Sequence, residues 1–519
     1  MEFWLGQQME LKTKNRLTFL VYALILGAFI GAVTWLFLWA MDFCLELIWT
    51  DLPERIDFIY LPVAVCTIGG VLVGLCKKYF GSVPGVLSIE LEEIKRTKRA
   101  DYKNLPAVAV SAFLPLVFGG SIGPEAALVS ILGGLSTWIA DHIKTTAKNV
   151  KAYTEIGAAA TLSAMFGSPF FGFAEIFESR KNSFISFDES ADKPITIGSD
   201  AFDDEIFDEF NDDAGEINKI SSENTNSGKV NAEKISNEKI SNEKVNTEKI
   251  NSEKEEEEPD IFPKRSKNLI YFASAIVAFG VFAVLSHIFP ESGIYRYEYV
   301  PFGLNEWLAI LPLAVISSLF GYLYYIFGIL IRKGIRPIKE KKVLLATVGG
   351  FILGLAGLLL PYTLFSGEAQ IAQIAVEWTT MSAFILLLTA VVKIFVSRLC
   401  FLTGWRGGHI FPIIFSGLVL GYAFSKIVPV DPTFSALICS AAMTGMVLRK
   451  PVATVLVYLI ICPIEYLIPL TVATVICCFI PFPKMFEKAE REEIEEELES
   501  KKQMHDKEKQ KAGIEKSGN

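Results

Sequence analysis

Polarity along this chain changes in long blocks. Residues 17–47, 58–76, 269–289, 307–331 and 343–360 carry almost no charge, and a helix of that length crosses roughly 30 Å of hydrocarbon. They predict the spans of an all-α polytopic membrane protein. Residues 105–118, 122–140 and 410–424 are as apolar but are shorter, or abut Gly and Pro. Backbone that leaves a helix at membrane depth has to be buried in protein or line a wet cavity. The short pieces therefore predict a pathway rather than a plain bundle of spans.

Two of these breaks carry the same phrase. Gly119-Gly120-Ser121-Ile122-Gly123-Pro124 and Gly407-Gly408-His409-Ile410-Phe411-Pro412 each open an apolar run, and Ala160 precedes Pro169 by the spacing at which Ala442 precedes Pro451. The chain is internally duplicated, and paired Gly/Pro breaks in two halves of a membrane protein point to a midplane site between broken helices. A helix that starts at such a break leaves backbone N–H groups without partners at the positive end of its dipole, an arrangement that attracts anions. Donors at Ile122 and Gly123 from one half, and at His409 and Ile410 from the other, would hold a dehydrated anion without a cationic side chain to trap it. Gly and Pro also permit tight helix packing and kinks; the duplication favours a site.

The remaining sequence is polar. With 49 Lys and Arg against 58 Asp and Glu in 519 residues that are 51% hydrophobic, at mean hydropathy +0.38, the charges have to lie outside the apolar runs. Residues 180–267 turn acidic and then repeat Ser236-Asn-Glu-Lys-Ile, Ser241-Asn-Glu-Lys-Val and Asn246-Thr-Glu-Lys-Ile. A period of five builds no apolar stripe on a helix or a strand, so burial cannot offset the entropy of ordering. The expected organisation is a first membrane repeat (1–179), a disordered cytoplasmic linker (180–267), a second membrane repeat (268–483) and a charged cytoplasmic tail (484–519). The acidic cluster between Asp203 and Asp213 lacks the alternating ligands and turn glycine of a calcium loop, and no metal site is expected there. The net charge of −9 comes mainly from these soluble segments and says little about partners.

Basic residues flank the runs on one side: Lys12, Lys14 and Arg16; Lys77 and Lys78; Lys95, Arg96, Lys98, Arg99 and Lys103; Lys144, Lys148 and Lys151; Lys333, Arg336, Lys339, Lys341 and Lys342. Acidic Asp51 and Glu54 lie on the other. This places both termini in the cytoplasm. The first run is too long for a cleavable signal peptide and is expected to remain. Eight scattered Cys read as membrane-embedded hydrophobes.

A third phrase, Phe80-Gly81-Ser82-Val83-Pro84, precedes the other two. In this order the three resemble the CLC chloride channels and chloride/proton antiporters, in which Gly-Ser-Gly-Ile-Pro, Gly-Arg-Glu-Gly-Pro and Gly-x-Phe-x-Pro motifs surround the anion. The Ala-rich segment from Gly157 to Pro169 and the stretches 393–408 and 445–451 also fit, so the likeness covers residues 17–180 and 267–482. It implies a CLC-like inverted repeat of broken, tilted helices and a homodimer in the plasma membrane with one pathway per subunit. Chloride or another small anion and the bilayer are the implied partners; no cofactor, enzymatic activity or nucleic acid is expected.

The departures from the family pattern bear on mechanism. Ile122 stands where the family has its gating glutamate, and the inner proton-handling glutamate falls at Ser179, beside Glu178. The anion-contacting serine falls at Gly81, or at Ser82 after a slip of one residue. The anion-contacting tyrosine falls at Ile464, with Tyr466 two residues away. An Ile gate predicts passive, channel-like conduction; the alternative is a proton-coupled antiporter of chloride, fluoride or nitrate that uses Glu125 or Glu178. Glu125, in the first turn of its helix, is open to reading as a substitute gate or as a helix cap. His409 is open to reading as a titrating group or as a hydrogen-bonding helix start, and Lys393 and Arg398 can add positive potential or snorkel to an interface. An intramembrane enzyme would require Ser121 and His409 in hydrogen-bond reach of each other, and a scaffold acting through the acidic linker is a further alternative.

Overall fold

Gly, Pro and charge punctuate the apolar runs, and the helices begin and end at that punctuation. The computed structural model describes residues 2–81, 90–91, 94, 99–142, 150–172, 174, 264–289 and 295–495. Its helices are α1 (Glu2–Glu46), α2 (Leu61–Tyr79), α3 (Leu105–Val117), α4 (Glu125–His142), α5 (Val150–Met165), α6 (Lys264–Ile288), α7 (Leu304–Ile335) and α8 (Lys342–Leu359). They continue as α9 (Gln370–Glu377), α10 (Ala383–Thr403), α11 (Ile410–Ser425), α12 (Pro432–Leu448), α13 (Pro451–Ile461), α14 (Leu467–Phe479) and α15 (Lys484–Glu495). The expected linker falls mostly in a separate unit, residues 183–260, which lies outside the described residues; so do Ser82, Glu178, Ser179 and the acidic cluster from Asp203 to Asp213.

Among the described residues, six helical stretches are long and apolar enough to cross a membrane: Leu17–Arg55, Leu61–Tyr79, Asn268–Ile288, Leu304–Ile338, Lys342–Leu359 and Ala383–Thr403. Leu17, Ile25, Leu308, Phe351 and Phe384 stand exposed on them, as side chains that face lipid do. The protein is an all-α membrane protein; among the described residues the extended pairing is one isolated bridge, Gly123 with Gly408.

Small residues let the spans meet backbone to backbone. A Cβ at Gly70 would come within 2.5 Å of the Ala346 carbonyl oxygen, and one at Gly350 within 2.2 Å of the Cys66 carbonyl oxygen. α2 and α8 therefore run antiparallel in direct contact, which is how helices associate where lipid removes the hydrophobic drive.

The duplication extends to helix ends. α5 is followed by Gly167 (φ +62°) and α12 by Arg449 (φ +56°), each two residues before the proline, Pro169 or Pro451, that opens the next helix. A left-handed arginine costs about 1–2 kcal/mol. Its guanidinium lies 4.6 Å over the Phe482 ring and its N–H bonds the Gly445 carbonyl at 3.0 Å, which offsets part of that cost.

One boundary differs from expectation. α6 begins at Lys264, inside the stretch assigned to the linker. The charged tail opens with α15, bent 95° from α14. Its Glu493 reaches Arg332 at 2.6 Å and Arg398 at 2.9 Å, so the first turns of the tail are anchored to the membrane body. The sequence reads them as a tail because every second or third residue is charged; burial of Glu493 depends on partners some 95 and 161 positions away.

Candidate functional site

The two duplicated breaks meet. α3 stops at Val117, Gly120 N–H bonds back to the Pro115 carbonyl at 2.8 Å, and the chain runs through Ser121 and Ile122 to Gly123. Gly123 N–H donates to the Gly408 carbonyl at 2.8 Å, and Gly408 N–H donates to the Gly123 carbonyl at 2.7 Å. This reciprocal pair fixes the register of one half against the other, and from it α4 and α11 depart.

At the start of α11, Gly408 N–H is taken by Gly123, Pro412 has none, and Ile413 N–H bonds the His409 carbonyl at 3.2 Å. Between them Ile410 and Phe411 both donate to Glu125 Oε1, at 3.1 and 3.3 Å. Glu125 is fully buried. A carboxylate from the first half thus caps the helix of the second, where the dipole and two charge-assisted bonds favour it by about 1.5–3 kcal/mol per bond. The carboxylate lies flat against both bridge glycines: a Cβ at Gly123 or Gly408 would come within 2.0 or 1.9 Å of its Oε2. Here glycine is required by close approach, not by turn geometry.

Among the described residues, Ser121 Oγ, Glu125 Oε2 and His409 Nδ1, each within two residues of a bridge glycine in the chain, are buried and make no hydrogen bond. A buried, unsatisfied polar group costs about 1–3 kcal/mol.

The Ile122 side chain lies against Gly407, one residue before the bridge glycine Gly408. It is 1% exposed and packs with Cys66, Leu116, Leu353, Leu364 and Trp405 in a dry apolar cluster. The side chain at the family's gate position therefore faces packing, while Glu125 occupies the helix-start donors. Of the four backbone donors expected to face an anion, Gly123 N–H is held by the bridge and Ile410 N–H by Glu125.

On the other side of His409, its ring meets the Tyr324 ring at 5.6 Å between centroids. The Arg398 guanidinium lies 4.4 Å over the same tyrosine and donates to its hydroxyl at 3.1 Å. Arg398 is buried and paired with Glu493, and so does not snorkel.

A sequence profile described as voltage gated chloride channel matches residues 69–188 and 261–481, more than half of the chain. The chain belongs to the CLC family of voltage gated chloride channels. A putative ion-transport protein, YfeO, from Escherichia coli strain SMS-3-5 is 37% identical over 112 residues, 21% of this chain and 26% of the relative; the same protein from Escherichia fergusonii matches equally. The match thus spans about a quarter of these relatives' length. Among solved structures, a slow cyanobacterial Cl-/H+ antiporter aligns at TM-score 0.63 and 16% identity over 91% of this chain and 97% of that one. A CLC-type fluoride/proton antiporter aligns at TM-score 0.60 and 15% identity over 89% and 95%. These likenesses establish the CLC fold.

Within this CLC chain, Tyr466 does not reach the bridge. Gly417 abuts Ser440 and Gly421 abuts Ala436, so α11 and α12 are antiparallel and Phe434 lies beside the far end of α11. Tyr466 packs on Phe434 at 6.2 Å, and also on Phe302 and Tyr299, about 13 residues or 20 Å along α11 from the Glu125 cap. Ile464 is exposed. Gly81 is left-handed, φ +71°. Ser121 Oγ and His409 Nδ1 each lack a hydrogen bond, so they form no nucleophile–base pair.

Proposed function

We propose that this protein exchanges a small monovalent anion for protons across the membrane, with Glu125 as the group that alternates with the anion. One observation carries the reading: the Glu125 carboxylate sits on Ile410 and Phe411 N–H, two of the donors at that helix start. An anion can take those donors only after the carboxylate leaves, and a proton on the carboxylate removes the charge that holds it there. The cycle of proton arrival, carboxylate release, anion capture and anion departure then links the two fluxes. Chloride is the first candidate, and fluoride the second because one structural relative is a fluoride/proton antiporter. Passive conduction is the alternative that an isoleucine at position 122 favours; the carboxylate on the α11 donors is what supports exchange over it. The reading includes a homodimer with one pathway per subunit, cytoplasmic termini on the basic flanks, and a transport rather than catalytic role.

Calorimetric chloride binding to wild type and Glu125→Ala at neutral pH tests the competition. Removing a competitor held by two bonds of about 1.5–3 kcal/mol each raises chloride affinity at least tenfold. Equal affinities would sink the proposal.

A further inference from the structure

Lys393 sits midway along apolar α10, where a lysine is expected to reach for an interface. Instead its side chain is fully buried, and Nζ is 2.6 Å from the Leu364 carbonyl oxygen, 2.7 Å from that of Phe365 and 3.1 Å from that of Tyr362. Three acceptors require three N–H donors. An ammonium has three, whereas a neutral amine has two and would turn its own lone pair against a carbonyl oxygen. The three carbonyls suit the charged form and oppose the desolvation that full burial imposes on it. Phe365 is held left-handed, φ +57°, a conformation that bulky side chains avoid, and this strain helps wrap the three carbonyls around the nitrogen.

Among the described residues no carboxylate pairs with this ammonium; the titratable group it senses is the Cys400 thiol, two turns along the same helix. Its charge is solvated by carbonyl dipoles but not cancelled. Both walls of the bridge adjoin it. Phe365, whose carbonyl it holds, donates its N–H to the Gly119 carbonyl at 3.2 Å, two residues before Ser121. Nζ also lies 5.1 Å over the ring of Phe415, which is five residues, about 7.5 Å, into the helix that Glu125 caps.

We infer that Lys393 is a fixed positive charge that selects for anions at the start of α11. All three N–H groups are consumed, so it does not ligate the anion and cannot trap it; it acts through space in a region of low dielectric, on the anion and on the competing Glu125 carboxylate alike, so its effect on the anion is read where that carboxylate is absent. This inference rests on the transport reading above. Because the effect is electrostatic and at a distance, it raises the affinity of every monovalent anion by a similar factor and leaves the ratios between anions unchanged.

The test is calorimetric chloride and bromide binding to the full chain in detergent, with Lys393 (wild type at this position), Lys393→Arg, Lys393→Met and Lys393→Gln, each beside Glu125→Ala, which removes the competing carboxylate. Arginine keeps the charge, and affinity should stay within about threefold; Met and Gln should lose about tenfold or more for both anions at an unchanged chloride/bromide ratio. Chloride affinity in the Met or Gln variant equal to wild type overturns the inference. If neither variant folds, nitrogen-15 NMR of Nζ-labelled wild type, assigned with Lys393→Arg, decides: an ammonium signal at neutral pH supports it and an amine signal overturns it. Wild type that neither binds nor carries chloride or fluoride overturns the transport reading. Wild type that does both, beside a Met variant that matches it, overturns this inference alone.

Discussion

Gly408→Ala should open the site without touching an ionisable group. The added Cβ would lie 1.9 Å from Glu125 Oε2 and 2.2 Å from its carboxyl carbon, and the bridge to Gly123 leaves the backbone no freedom to retreat. The carboxylate has to move, giving up its bonds to Ile410 and Phe411. At about 1.5–3 kcal/mol per charge-assisted bond the occupied state loses about 3–6 kcal/mol, a shift of a hundredfold or more in occupancy. Anion efflux from loaded proteoliposomes, followed with an ion-selective electrode between acid and neutral pH, reads the consequence. Wild-type efflux should rise as pH falls, because protonation releases the carboxylate, whereas the variant should already be fast at neutral pH and nearly flat. Gly408→Ala combined with Glu125→Gln should match Glu125→Gln alone, since both act on one group. A variant with the wild-type pH profile, or a double variant slower than Glu125→Gln, would refute the reasoning.

Other perturbations probe the frame around the site. Glu493→Ala leaves Arg398 buried without its carboxylate and should cost about 3–5 kcal/mol, seen as a large drop in thermal unfolding temperature in detergent; an unchanged temperature would mean that α15 is not anchored. Ile122→Glu puts an unpaired charge into the cluster of Cys66, Leu353 and Trp405 and should abolish monodisperse protein in size-exclusion chromatography, whereas a stable variant with slowed flux would return the gate to position 122. Gly350→Ala presses a methyl against the Cys66 carbonyl and should destabilise by about 1–3 kcal/mol, as an unfolding titration would report.

Much of the fold was legible because lipid imposes long apolar runs and the duplication repeats its Gly and Pro. The site was legible as far as the two helix starts. What the sequence did not specify is which side chain sits on them: Glu125 and Ile410 are 285 positions apart, and contacts between the halves such as the Gly123–Gly408 bridge bring them together. The signal was present in Glu125, an acidic residue in an otherwise apolar first turn, but the family motif drew attention to Ile122. Tyr324 left no signal at all, being one aromatic among many on α7, and Glu493 was hidden in a run of like charges. Lys393 was visible as a charge in an apolar helix; its carbonyl cage depends on the folded loop that carries Leu364 and Phe365.

The central claim is that one buried carboxylate links anion and proton movement. Proteoliposomes holding wild type or Glu125→Gln, under an outward chloride gradient and no proton gradient, with chloride and pH electrodes read together, test it most directly. Wild type should drive protons against their gradient as chloride leaves, and Glu125→Gln should carry chloride with no proton movement. Chloride efflux through wild type without any uphill proton movement, or proton movement that persists in Glu125→Gln, would contradict the account.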